Sequence, residues 1–269
     1  MDRKLLFFDI DGTLLAGGLP GYIPESAIES LKKAQENGHY LFINSGRTYD
    51  FMPKLIKDFP FDGYICGCGT HIIFHDEELH RHILSEDVKQ NLIQILEETR
   101  IQGVFEGPKH CYYNEKIESF PPVTEMLEAY SASITPNPIR FFSDPVLDFD
   151  KFVILMDENS NLPLFKERIA DDFDYIERED LGSYSFAEIV PKNYSKASGI
   201  DFLVNYLNLS LDDCYVFGDS TNDLSMLEHV KHSIAMGNSF PEVLERTSYV
   251  TTPVDRDGIR NALKHFQLI

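Results

Sequence analysis

The stretch Leu5-Leu6-Phe7-Phe8-Asp9-Ile10-Asp11-Gly12-Thr13 constrains this chain more than any other. Four consecutive apolar residues read as a short strand buried on both faces, the pattern of the middle of a parallel sheet. Two carboxylates follow at its carboxyl end, where open parallel sheets hold their ligands. Gly12 lets the backbone turn sharply and come close to a ligand. Thr13 adds a hydroxyl and an N–H. Two crowded carboxylates repel, so such a site needs a proton or a cation. Mg2+ suits hard oxygen ligands and commonly bridges protein carboxylates to a substrate phosphate. Taken alone, the stretch reads equally well as an acidic turn after a strand.

Other segments repeat the arrangement. Tyr40-Leu41-Phe42-Ile43 is a second buried strand, ending at Asn44-Ser45-Gly46-Arg47. A small polar turn between strand and helix aims N–H groups at an anion, so Ser45 and Gly46 are candidates for phosphate binding; the alternative is a simple helix cap. Cys214-Tyr215-Val216-Phe217-Gly218 is another buried strand with Asp219 at its end, and Asn222 and Asp223 one turn on. Ser195 is placed to cap a helix with Ala197, Ile200, Leu203, Val204 and Leu207 on its buried face. Lys196 then falls in the first turn, where the helix dipole disfavours a cation unless an anion matches it. Gly63 to Cys66 reads as a third strand, followed by a hairpin through Glu77 and Glu78. Cys66-x-Cys68 with His71, His75, His80 and His82 departs from the usual zinc spacing. These histidines read as polar positions on a half-exposed hairpin.

From about Ile83 to Ala187 the pattern restarts as an α/β domain of its own. Val88, Leu92, Ile95 and Leu96 form a helical stripe. Gln102 to Gly107 and His110 to Asn114 read as paired strands, and Phe120 to Ala132 and Leu162 to Asp172 as helices. Phe152 to Met156, Tyr175 to Glu177 and Tyr184 to Val190 read as strands. The expected division is residues 1–82 and 188–269 as a discontinuous core and 83–187 as an inserted cap. Glycines in Gly103-Val104-Phe105-Glu106-Gly107-Pro108-Lys109 suit a loop approaching a ligand or an ordinary hairpin turn. With Tyr112 and Tyr113, this segment is the expected reader of a leaving group.

Charge narrows the partners. With 24 Lys and Arg against 44 Asp and Glu, the net charge is −20, which repels nucleic acid and anionic membrane. Attraction for an anionic substrate must then be local. Four cysteines are too sparse for a disulfide framework. The longest strongly apolar run, Phe152 to Met156, is too short to span a bilayer. A cytoplasmic protein, monomer or homodimer, is expected.

Asp9-x-Asp11-Gly12-Thr13, Asn44-Ser45-Gly46-Arg47, Lys196 and Gly218-Asp219-Ser220-Thr221-Asn222-Asp223 occur in the order of the four motifs of the haloacid dehalogenase superfamily, which the whole chain resembles. The long insert resembles the Cof-type branch, with its C2B-type α/β cap. The resemblance implies a Rossmann-like, doubly wound parallel sheet and a Mg2+-dependent phosphatase acting on a small phosphorylated metabolite through a phospho-aspartyl intermediate. It implies Asp9 as nucleophile and Asp11 as general acid and base. Thr13, Ser45, Gly46, Lys196 and Asn222 would hold phosphate. Asp9, Asp11 (through its carbonyl), Asp219 and Asp223 would hold the metal. A phosphomutase of the same superfamily, or a non-catalytic binder of phosphorylated metabolites, are the alternatives. Where the family often has Asn-Gly, this chain has Cys68-Gly69.

Overall fold

The computed structural model describes residues 2–18, 21–116, 139–177 and 185–269. Its strands are β1 (Leu5–Phe8), β2 (Tyr40–Asn44), β3 (Gly63–Cys66), β4 (His71–Phe74), β5 (Glu77–Arg81), β6 (Gln102–Glu106) and β7 (Cys111–Tyr113). They continue with β8 (Ile139–Phe141), β9 (Lys151–Met156), β10 (Phe173–Glu177), β11 (Ser185–Pro191), β12 (Cys214–Gly218), β13 (His232–Ala235) and β14 (Tyr249–Val250). The helices described are α1 (Glu25–Glu36), α2 (Lys54–Lys57), α3 (Glu86–Thr99), α4 (Leu162–Ile169), α5 (Lys196–Leu207), α6 (Leu224–His229), α7 (Pro241–Glu245) and α8 (Gly258–His265). The helix expected over Phe120 to Ala132 lies outside the described residues.

The chain divides into two units. The first comprises residues 1–46, 53–80 and 195–269. Its sheet runs β14-β13-β12-β1-β2-β3-β4-β5, and the strands from β14 to β3 are parallel. From β1 the chain winds one way through β2 and β3 and later the other way through β12, β13 and β14. The winding therefore reverses between β1 and β12, the place where doubly wound sheets open a crevice. β1 is apolar because both its faces are covered: Leu5, Leu6, Phe7 and Phe8 are wholly buried. Phe7 stacks on Phe42 at 5.1 Å between ring centres, and Phe8 on Phe217 at 4.5 Å. Ile200, Leu203 and Val204 of α5 pack into the same core as Leu5, Phe7 and Val216.

The second unit comprises residues 47–52 and 81–194. Its sheet runs β10-β11-β9-β6-β7-β8, antiparallel except for β7 with β8. Leu92, Ile95, Leu96, Phe165 and Ile169 of α3 and α4 pack with Phe105, Phe152 and Ile154 of the sheet. Phe51 packs with Val104, Cys111, Val153 and Leu155. This unit is wider than the 83–187 read from sequence, for three reasons. Arg81 is fixed by Asp148 and Asp150 at 2.5 and 2.9 Å. β11 is an interior strand between β9 and β10. Residues 47–52 join through Phe51.

Two local expectations need correction. The hairpin turn is at His75 and Asp76, both with positive φ (48° and 63°), and Glu77 and Glu78 begin β5. His71 is buried, not half-exposed, with Nε2 2.9 Å from Glu78 Oε2. His75 lays its ring on Phe74 at 3.9 Å, His80 sits 5.5 Å from Phe202 and His82 4.6 Å from Tyr194. An imidazole presents an apolar face as well as a polar edge, which a polar/apolar pattern does not register. The glycines of the 103–109 segment also have a packing explanation. A Cβ at Gly103 would lie 2.7 Å from Leu96 Cδ1, and one at Gly107 1.9 Å from the Asp148 carbonyl oxygen. No helix among the described residues is long and apolar enough to cross a membrane.

Candidate active site

The parallel register assembles the site. Phe8 pairs with Ile43 on one side and with Phe217 on the other. One residue further on, Asp9, Asn44 and Gly218 stand abreast at the carboxyl ends of three neighbouring strands. The Asp9 N–H donates to the Phe217 carbonyl at 3.0 Å, which extends the ladder and fixes the first carboxylate. Asp219 is one residue beyond, and the 3₁₀ turn Thr221–Asp223 brings Asp223 back towards it.

The centre is a buried cation among three acids. Lys196 Nζ donates to Asp9 Oδ1 and to Asp223 Oδ1, each at 2.5 Å, with both acids and the lysine buried. α5 presents the lysine here because its N-terminus is closed by a capping box. The Ser195 hydroxyl accepts from the Ser198 N–H at 3.1 Å, and Ser198 Oγ from the Ser195 N–H at 2.9 Å. Asp223 Oδ2 accepts the N–H groups of Asp219 (2.9 Å) and Ser220 (3.0 Å). Asp219 Oδ1 accepts from Thr13 Oγ1 at 3.0 Å. Asp9, Asp219 and Asp223 each place one oxygen within 4.8 Å of the others. Among the described residues this is the one such gathering; Cys66, Cys68 and the hairpin histidines form none.

Gly12 is required by this packing. Its φ is +81°, and a Cβ there would lie 2.2 Å from Asp219 Oδ2. Gly12→Ala therefore combines left-handed strain, about 1–3 kcal/mol, with displacement of the Asp219 carboxylate. The expected result is a lowered melting temperature and weaker divalent-cation binding, read by calorimetry. An unchanged cation affinity would show that the Asp219 carboxylate does not depend on this contact.

Crowding raises the acids' pKa values. Burial, and then the Asp223 charge, push Asp9 up to about 7 against the pull of Lys196. Burial, and then Asp9 and Asp223, push Asp219 up to about 8. Burial alone would lower the Lys196 pKa, but Asp223 and Asp9 outweigh it and the net shift is upward, so the ammonium stays charged. A carboxyl whose folded-state pKa exceeds its unfolded value of about 3.9 binds more protons when folded. Its contribution to stability is full below that unfolded value and is lost as pH rises through the folded one. In EDTA the melting temperature should therefore fall by a few degrees between pH 6 and 9. Asp219→Asn should flatten that fall. A profile identical in wild type and variant would contradict the assignment.

Once all three are ionised, the carboxylates against one ammonium leave two negative charges, the complement of a divalent cation. Asp219 Oδ2 accepts no hydrogen bond from a described residue, so an oxygen is available to a hard cation beside those of Asp9 and Asp223. The donor set fits such an ion.

The sequence-derived candidates fall into groups. Asp9, Lys196, Asp219 and Asp223 converge. Asp11 is exposed and its side chain is outside the cluster. Thr13 is buried; its hydroxyl serves Asp219 and its N–H bonds to the Ile10 carbonyl at 3.3 Å. Its hydroxyl thus supports a carboxylate. Ser45 is buried beyond β2, its N–H donating to the Ile65 carbonyl at 2.9 Å and its carbonyl accepting from Cys68 N–H at 3.1 Å. Gly46 follows it, also buried. Cys68 holds φ at 57°, a left-handed setting that Asn tolerates well, so position 68 contributes backbone to the Ser45 turn. The Asn222 side-chain oxygen accepts from Ser220 Oγ. Two supports were missed. Asn44 Nδ2 donates to the Lys196 carbonyl at 3.0 Å, and Asn238 Nδ2 donates to the Gly12 carbonyl at 2.9 Å. Asn44 stood inside a recognised motif. Asn238 is far from any motif in sequence.

The sequence model of the haloacid dehalogenase-like hydrolases matches residues 6–263. The chain belongs to that family. YkrA of Bacillus subtilis strain 168, a proposed phosphatase, is 30% identical over 270 residues, covering 100% of both chains. The crystal structure of a hypothetical protein from Geobacillus kaustophilus HTA426 superposes with TM-score 0.82 at 28% identity, covering 99% of this chain and 100% of that one. The subclass IIB sugar phosphatase BT4131 superposes with TM-score 0.80 at 26% identity, again covering 99% and 100%. This chain is thus a haloacid dehalogenase-like hydrolase with the architecture of the family's subclass IIB phosphatases. Its four motifs surround the switch point of the first sheet.

Proposed function

We propose that this hydrolase is a Mg2+-dependent phosphatase of small phosphorylated metabolites, working through an aspartyl phosphate on Asp9. The observation that carries the reading is the Asp9 carboxylate itself. One oxygen is pinned by Lys196, and the other accepts no hydrogen bond from a described residue. A held but uncommitted oxygen at a strand end is what in-line attack on phosphorus needs. Asp9 Oδ2 forms the new P–O bond while the bond to the leaving oxygen breaks. Asp11 gives that oxygen its proton. In the second step Asp11 takes a proton from the water that attacks phosphorus, releasing inorganic phosphate and restoring Asp9. An exposed Asp11 suits a group that must exchange its proton twice in each cycle. Ser45, Gly46, Lys196 and Asn222 are assigned to the phosphoryl oxygens. Asp9, Asp219, Asp223 and the Asp11 carbonyl are assigned to Mg2+, which supplies positive charge to neutralise the phosphoryl group.

The second unit is assigned the choice of leaving group. There, Lys109, His110, Tyr112 and Arg140 line a cavity of about 310 Å³. The similarity to BT4131 makes sugar phosphates the first substrates to try.

Phosphate release from a panel of sugar, nucleotide and cofactor phosphates, in Mg2+ and in EDTA, tests the proposal. Turnover in Mg2+ alone is expected, with a higher Mg2+ requirement in Asp219→Ala. Full activity in EDTA would refute the metal assignment. Binding without turnover across the panel would favour the non-catalytic alternative, and phosphoryl return to product a phosphomutase.

A further inference from the structure

We propose that Asn238 is a positioning residue for the metal-ligand carboxylate of Asp219. This rests on the function proposed above. Asn238 stands in the loop after β13, and that loop holds the end of β12 at two successive carbonyls. The Met236 N–H donates to the Gly218 carbonyl at 3.0 Å, and the Phe240 N–H to the Asp219 carbonyl at 3.3 Å. Between these anchors, one side-chain amide joins two further segments. Asn238 Oδ1 accepts the Val254 N–H at 2.8 Å, and Nδ2 donates to the Gly12 carbonyl at 2.9 Å. The two bonds fix the amide's orientation. A backbone N–H demands the oxygen and a carbonyl demands the nitrogen, so a flipped amide would lose both.

Gly12 is the residue whose place matters most to Asp219. Its Cα is so close that a Cβ would lie 2.2 Å from Asp219 Oδ2. Thr13, the next residue, holds Asp219 Oδ1 at 3.0 Å. The Asp219 carboxylate is therefore boxed, with Gly12 against one oxygen and the Thr13 hydroxyl on the other. Both walls of the box belong to the turn that Asn238 tethers. The burial of Asp219 follows from the box; the exposed Asn238 is what ties its outer edge. Releasing the tether lets the turn move away and the carboxylate rotate, which costs ligand geometry without removing a ligand.

The test is titration calorimetry of Mg2+ into the folded, metal-free full chain, alongside its melting temperature in EDTA. Asn238→Ala removes both bonds, and Asn238→Ser serves as a second variant too short to span them. We expect each to bind Mg2+ about three- to tenfold more weakly, the size of one net hydrogen bond. Asn238→Gln, which carries the same amide at an exposed position, should recover part of the loss. A purely structural Asn238 would lower the melting temperature in EDTA and leave the Mg2+ affinity of the folded protein at the wild-type value; that result overturns the proposal. Wild type that binds no Mg2+ at all would instead overturn the metal assignment on which the proposal rests.

Discussion

Asp9→Asn should lower phosphate release by at least about 10³-fold, the scale seen when a catalytic nucleophile is removed, while the protein stays folded. Asparagine has nearly the shape of aspartate, and its oxygen can still accept from Lys196 Nζ, now 2.5 Å from Asp9 Oδ1. What it loses is the nucleophilic charge. The same change removes one of three crowded acids, whose repulsion and burial hold the Asp9 pKa at about 7. The melting temperature in EDTA should therefore hold or rise. Circular dichroism and a phosphate-release assay on the same sample check both halves. Activity above a tenth of wild type would exclude Asp9 as the nucleophile.

Lys196→Met should be severely destabilising. The ammonium is fully buried and is the only cation that hydrogen-bonds both Asp9 and Asp223 among the described residues. Removing one partner of a buried ion pair typically costs about 3–5 kcal/mol, because the opposite charge is stranded out of water. For a chain of this size that corresponds to a loss on the order of 10 °C in melting temperature. Activity should vanish with it. The loss should shrink as pH falls from 8 to 6, because protonation of Asp9 relieves one stranded charge. It should shrink again in the Asp9→Asn, Lys196→Met double variant, where one stranded charge is gone. Additive effects of the two changes would show that they do not act on one network.

Much of this site was legible because its chemistry is written in short, ordered motifs at strand ends. Four apolar residues followed by Asp9 gave both the central strand and its ligand end, since only a doubly covered strand can be so uniformly apolar. Ser195 was legible as a cap because its partner, Ser198, is local. The supports were not. Asn44 and Asn238 act on the backbone of Lys196 and Gly12, residues distant in sequence, and an asparagine in a loop reads the same whether it holds a strand end or faces water. Thr13 is a related case. Its hydroxyl is spent on Asp219, 206 residues away, and only the folded chain shows that commitment. Gly103 and Gly107 suited a ligand-approach loop and an ordinary hairpin turn equally well, and close packing against Leu96 and the Asp148 carbonyl gives them a structural reason that neither pattern contains. Unit boundaries were blurred because Arg81 and Phe51 owe their membership to partners in the second unit.

A covalent phosphoryl group on Asp9 should be most directly visible in Asp11→Asn. An aryl phosphate with an acidic leaving group needs little help from a general acid, so the first step should proceed in this variant. The second step needs a base and should stall. Acid-quenching the variant during turnover, then digesting it and locating the added phosphoryl mass by mass spectrometry, reads the trapped state. The adduct is expected on the peptide containing Asp9, with none in Asp9→Asn. A phosphoryl group on another residue, or wild-type phosphate release by Asp11→Asn with no adduct, would contradict it.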